Sequence, residues 1–186
     1  MRRAETALPF AGAAAFAVLV TIGASALGRA AMPSAATPLP DGWHRERAPA
    51  SIPGAGTYDV ALPPAMEKVP VTGTQSYVAE YRSGRLTLLF EFGARRRAPS
   101  PSCRGRSRCA IGAIEVGGRR ASRLRYYEPD SDGGLPYRSA YAIPLAVLPG
   151  AAPRRITLTI RAECADASAC DLADRIVKTI EILPDR

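Results

Sequence analysis

An α+β fold, mainly an antiparallel β-sheet of about six to eight strands with a C-terminal helix packed on it, is what three features of the sequence predict. Residues 86–92 alternate strictly between apolar and other positions, short apolar runs are separated by glycine-marked turns, and helical spacing emerges only near residues 172–177. The chain has 186 residues, 47% of them apolar and 23% charged, enough for one ordinary core and too few for two. That composition excludes collagen, coiled coil and a polytopic membrane protein.

Residues 1–36 stand apart from the domain. Arg2 and Arg3 precede an uncharged run from Leu8 to Gly28, the layout of an export signal. Ala24-Ser25-Ala26 and Ser34-Ala35-Ala36 offer small residues for cleavage. At about 1.5 Å per residue the run is also long enough to span a bilayer, so cleaved signal and retained N-terminal anchor both remain open. In either case the rest of the chain is expected outside the cytoplasm, periplasmic or at the cell surface. Residues 37–56 carry Pro38, Pro40, Pro49 and Pro53 and read as a linker, with Trp43 marking either a lid on the core or the start of a short edge strand through Arg47.

Residues 57–186 form the expected domain. Tyr58–Leu62 reads as a strand stopped by Pro63-Pro64, with a helical turn over Pro64–Lys68. Two runs between Gln75 and Gly93 meet at Ser83-Gly84 as a hairpin, its second arm burying Leu86, Leu88, Phe90 and Phe92. Gly117-Gly118 suits a primed turn between Ile114–Val116 and the run from Arg119. Tyr137–Val147 and Arg154–Ala162 read as two more strands, with Pro144 confining the first to an edge or an early end. Leu172, Ala173, Ile176 and Val177 fall on one helical face, and Ser168 with Asp171 resembles a capping box that starts the helix near Ala169. Ile180–Ile182 is expected to close the domain as a short strand.

Four cysteines, Cys103, Cys109, Cys164 and Cys170, form two C-x5-C pairs in a chain that leaves the reducing cytoplasm. Two small disulfide rings require the least assumption about the fold. A four-thiolate zinc site is the alternative, but structural zinc ligands usually stand closer in sequence. The net charge is +8; without residues 1–36 it is +6, from 22 basic and 16 acidic side chains. The loop 94–110 holds Arg95, Arg96, Arg97, Arg104, Arg106 and Arg108 and no acid, which matches the whole excess. The basicity therefore reads as one surface feature beside the Cys103–Cys109 ring, either a solvated loop or an anion contact.

No nucleophile elbow, zinc-protease helix, phosphate loop or dinucleotide fingerprint occurs, and His44 is the only histidine. No cofactor is indicated. Asp130 and Asp132, in the loop Glu128–Gly134, match part of a calcium loop but lack its closing glutamate, so a solvated turn is the default. Tyr126, Tyr127, Tyr137 and Tyr141 are either groove residues or core margin.

The order of a Pro-stopped strand 58–63, a hairpin ending in 86–93, the segment 114–121, the strand 156–160 and the helix and strand 173–182 resembles small exported, largely uncharacterised bacterial domains of PsbP-like type. The resemblance covers most of residues 57–183 and implies an antiparallel sheet with helices packed on it, and an accessory or binding role. It carries no site residues to this chain. The expectation is an exported, non-catalytic accessory domain contacting an anionic envelope component, lipid phosphate or acidic polysaccharide, through the arginine loop. A carboxylate-dependent envelope hydrolase is the alternative; nucleic-acid binding conflicts with export and with the neutrality of the rest of the chain.

Overall fold

The computed structural model describes residues 38–48, 52–71, 77–95, 101–129, 134–149 and 154–184. The export segment 1–36, Arg96, Arg97, Asp130 and Asp132 lie outside the described residues. Ten strands and one helix follow in order: β1 (His44–Arg47), β2 (Thr57–Leu62), β3 (Glu67–Val69), β4 (Tyr77–Arg82), β5 (Leu86–Arg95), β6 (Ser107–Val116), β7 (Arg119–Tyr127), β8 (Tyr137–Leu148), β9 (Arg154–Cys164), α1 (Ala167–Lys178) and β10 (Glu181–Leu183). Seven strands form an antiparallel sheet in the order β3-β4-β5-β9-β8-β7-β6, and three form a smaller sheet β1-β2-β10. The predicted fold class is therefore observed, with more strands than the six to eight expected: β3, three residues long, is too short to show alternation, while the short closing strand expected at 180–182 is present as β10.

The seven-stranded sheet has one covered face. On β5, Leu86, Leu88, Phe90 and Phe92 are fully buried and face Cys164, Ala162, Ile160 and Leu158 of β9. Each such burial contributes on the order of 2 kcal/mol. Two elements lie over them. The small sheet brings Tyr58, whose ring stacks on Phe90 at 5.9 Å and meets Phe92 edge-on, while α1 brings Ala173, Ile176 and Val177, all completely buried. The apolar stripe read from the sequence thus packs as expected. Among the described residues no helix is long and apolar enough to cross a membrane.

Three local expectations are corrected. Within the stretch 37–56, the short edge strand through Arg47, one of the two alternatives at Trp43, is present as β1, which pairs with β2 from His44↔Leu62 to Arg47↔Asp59. The turn after Pro63 is a single one, closed by Met66 N–H on Pro63 O at 3.0 Å, and strand pairing resumes at Glu67. Pro144 sits inside the sheet rather than at its edge: β8 lies between β7 and β9. It is tolerated because β7 pairs with β8 only from Ser122↔Ala142 onward, leaving Pro144 with no β7 partner, and because the ladder with β9 is irregular between Pro144 and Ala146. The helix cap is Asp166, not Ser168. Its carboxylate accepts from Ala169 N at 2.9 Å and from the Ser168 hydroxyl at 2.8 Å. The primed turn is as predicted, with Gly117 and Gly118 at φ 54° and 71°.

Candidate binding cleft on the open sheet face

Strand alternation sends the other half of β7, β8 and β9 to the sheet face that α1 does not cover. Cross-strand register arranges these residues in three rows. Tyr126, Arg138 and Glu163 form the first, Leu124, Ala140 and Arg161 the second, and Ser122, Ala142 and Thr159 the third. Alanine and serine in the middle of this grid leave a depression between larger neighbours. With Pro101 and Arg106 at its margin it makes a cleft of about 480 Å³.

The disulfide loop supplies that margin. Cys103 and Cys109 are bonded, their Cα atoms 5.5 Å apart, and Arg106 N–H closes the turn onto Cys103 O at 3.1 Å. The Arg106 guanidinium lies 4.5 Å above the Tyr126 ring and also donates to Ser102 O. Below it, Arg138 pairs with Glu163 at 2.7 Å and with Glu128 at 3.8 Å. Arg161 has no ion pair among the described residues. Thr159 is only 6% exposed, and its hydroxyl has no hydrogen-bond partner among the described residues. The cleft thus sets three guanidinia, Arg106, Arg138 and Arg161, against two carboxylates, Glu128 and Glu163, beside one aromatic plate and one spare hydroxyl, an arrangement able to hold an anionic group.

The loop arginines do not converge on one surface. Arg106 covers Tyr126 and Arg108 lies 5.2 Å from Tyr127; consecutive strand residues point to opposite faces, so these two arginines diverge. Arg104 is exposed in the turn, and Arg95 closes β5 opposite Arg155 of β9. Of the four tyrosines, Tyr126 and Tyr141 border the cleft, Tyr126 from the open face. Tyr127 and Tyr137 meet edge to face at 5.2 Å, and Tyr141 is buried on the covered face, donating to Asp174 Oδ1 at 2.7 Å. Burial, followed by that bond to a carboxylate, pushes the Tyr141 phenol well above its ordinary range. Cys164 and Cys170 are bonded as well, joining the end of β9 to the first turn of α1. His44 is exposed on β1. Among the described residues no group of three or more His, Cys, Asp or Glu is placed to hold a metal ion.

Ser122, Ala140, Thr159 and Arg161 carry no motif, and only the register of three strands brings them together. No protein-family model matches the chain, and no curated protein matches it. Among solved structures it is similar to the solution structure of cyanobacterial PsbP (CyanoP) from Synechocystis sp. PCC 6803, with 14% identity and a TM-score of 0.45 over 76% of this chain and 93% of that one.

Proposed function

We propose that this is an exported, non-catalytic binding domain whose open sheet face engages an anionic group of an envelope component. The observation that carries the reading is the cleft: Arg106, held over Tyr126 by a disulfide-closed loop, faces a floor of small side chains in which Arg161 has no carboxylate partner among the described residues. Two disulfides fit an oxidising compartment. Arginine forks match the paired oxygens of phosphate and carboxylate, and a closed loop loses less freedom on binding than an open one.

The test is co-sedimentation of the full chain with phosphatidylglycerol vesicles and, separately, with immobilised polygalacturonate, each at low and moderate salt. Binding to one of the two that weakens at least about 10-fold on changing Arg106 and Arg161 to serine, and that falls as salt rises, is expected. Binding that survives both substitutions, or that salt leaves unchanged, would overturn the proposal.

A further inference from the structure

The open face holds a second cavity, two residues further along the same strands. Below Ser122↔Ala142 the strands β7 and β8 no longer pair, so Arg119–Ala121 and Ile143–Leu148 separate. The gap between them is a cavity of about 510 Å³ whose lining includes Arg119, Arg120, Pro144, Val147, Arg155 and Thr157. Three arginines line it and no carboxylate does. Arg119 is fixed across the gap, its Nη1 donating to Leu145 O at 2.8 Å, while Arg120 and Arg155 are exposed and have no ion pair among the described residues. Arg95 lies opposite Arg155 in the ladder, adding a fourth arginine position to this end of the sheet.

Thr157 is the independent sign of a ligand. It is 1% exposed, and its hydroxyl has no hydrogen-bond partner among the described residues. A buried hydroxyl left unmatched is unfavourable, and native structures seldom keep one without a use. Here it lines a cavity rimmed by guanidinia. The donors come from two strands, Arg119 and Arg120 of β7 and Arg155 and Thr157 of β9, and the three or four tetrahedrally placed oxygens of a phosphate can meet both sides of the gap where a flat carboxylate presents two.

We propose that this cavity is a second anion site, separate from the disulfide-loop cleft, and that it takes a phosphate group held by Arg119, Arg120, Arg155 and the Thr157 hydroxyl. The exposed side of Val147, 62% accessible at the lip, leaves room for an apolar substituent on that phosphate.

The experiment is a titration of the isotopically labelled full chain with inorganic phosphate at constant ionic strength, with chloride as reference, read at the amide resonances of residues 119–121, 143–147 and 155–157. Saturable shifts in that set are expected. Arg120→Ser with Arg155→Ser should weaken binding at least about 10-fold and Thr157→Val several-fold, while Arg106→Ser with Arg161→Ser leaves it unchanged. All substituted side chains except Thr157 are exposed or half-exposed, so the arginine variants keep the fold. A second arm uses phosphatidylglycerol vesicles. Inorganic phosphate binding alone identifies a free phosphate ligand; vesicle binding that also depends on Arg120 and Arg155 identifies a phospholipid headgroup. Shifts that match chloride, or that persist in the Arg120/Arg155 variant, would overturn the site even if the Arg106 cleft is upheld.

Discussion

The two faces of the seven-stranded sheet treat arginine in opposite ways. On the covered face Arg123 and Arg125 of β7 reach the helix, where both pair with Asp174 and Arg125 also meets Asp171 at 2.8 Å and Cys170 O at 3.1 Å. Gly112, opposite Arg123 on β6, lies against that guanidinium: a Cβ there would be in ordinary contact with it at 3.5 Å. On the open face Arg106, Arg120, Arg155 and Arg161 have no carboxylate partner among the described residues. A charge largely covered by a helix must be matched because little water reaches it; a charge facing solvent is free to be matched by a ligand instead. The same side chain is thus a strut on one side and a candidate contact on the other.

Removing Asp174 breaks the comparison most severely. Its carboxylate, 9% exposed, is shared by Arg123, Arg125 and the Tyr141 hydroxyl. Asp174→Ala strands Arg123 and the Tyr141 hydroxyl beneath α1 and leaves Arg125 only Asp171 and Cys170 O, and chemical denaturation should show a loss of about 3 kcal/mol, the low end for a buried pair because the arginines are partly hydrated. Asp174→Asn, which still accepts from Tyr141, should lose less. A loss under about 1 kcal/mol in Asp174→Ala would mean that the apolar stripe alone holds the helix.

The two disulfides sharpen the contrast, since both close rings with a sequence separation of 6. Chain entropy assigns each about 2.4 kcal/mol. Cys164 and Cys170 are buried at 0% and 3% exposure, whereas Cys103 and Cys109 are half-buried and the residues between them are exposed. Replacing Cys164 and Cys170 by alanine should therefore cost more than replacing Cys103 and Cys109, by the packing lost around two buried sulfurs, about 1–2 kcal/mol in melting experiments. Equal losses would show that the bonds act only on the unfolded chain. The Cys103/Cys109 variant should instead weaken anion binding at the Arg106 cleft.

What was legible follows the range of the forces involved. The alternation of β5 and the helical stripe of α1 are local patterns, and both appear where the sequence places them. The cap was misplaced by two residues because Ser168 and Asp166 both suit the position; Arg85, reaching Asp166 from 81 residues away, is part of what distinguishes them, and no local pattern carries it. The same limit applies to charge. Outside the loop 94–110 the exported chain is neutral on average, yet Asp171 and Asp174 are drawn to the covered face by Arg123 and Arg125. That leaves Arg119, Arg120 and Arg155 lining one cavity with no carboxylate in its lining, with Glu115 opposite Arg120 in the β6–β7 ladder as the nearest acid in register.

The smallest effect belongs to the exposed aspartate, Asp166, and it separates surface from buried carboxylates. The Ala169 backbone N–H, then the Ser168 hydroxyl and the Arg85 guanidinium, hold its carboxyl down to about 2. A folded-state value below that of the unfolded chain, about 4, means that the ionised carboxylate stabilises the fold above the unfolded value. That contribution is lost as pH falls from about 4 toward 2. Asp59, lowered chiefly by its hydrogen bond to Arg47, titrates in the same direction, so the whole-protein curve mixes the two. The difference between the native chain and Asp166→Asn isolates one of them. Asparagine keeps an oxygen for the Ala169 N–H without a charge, so the two proteins should differ slightly at pH 6 and converge near pH 2, with high salt shrinking the gap. A gap that is constant across this range would show that Asp166 acts as a neutral cap, and that among the aspartates bound to α1 only the buried one uses its charge.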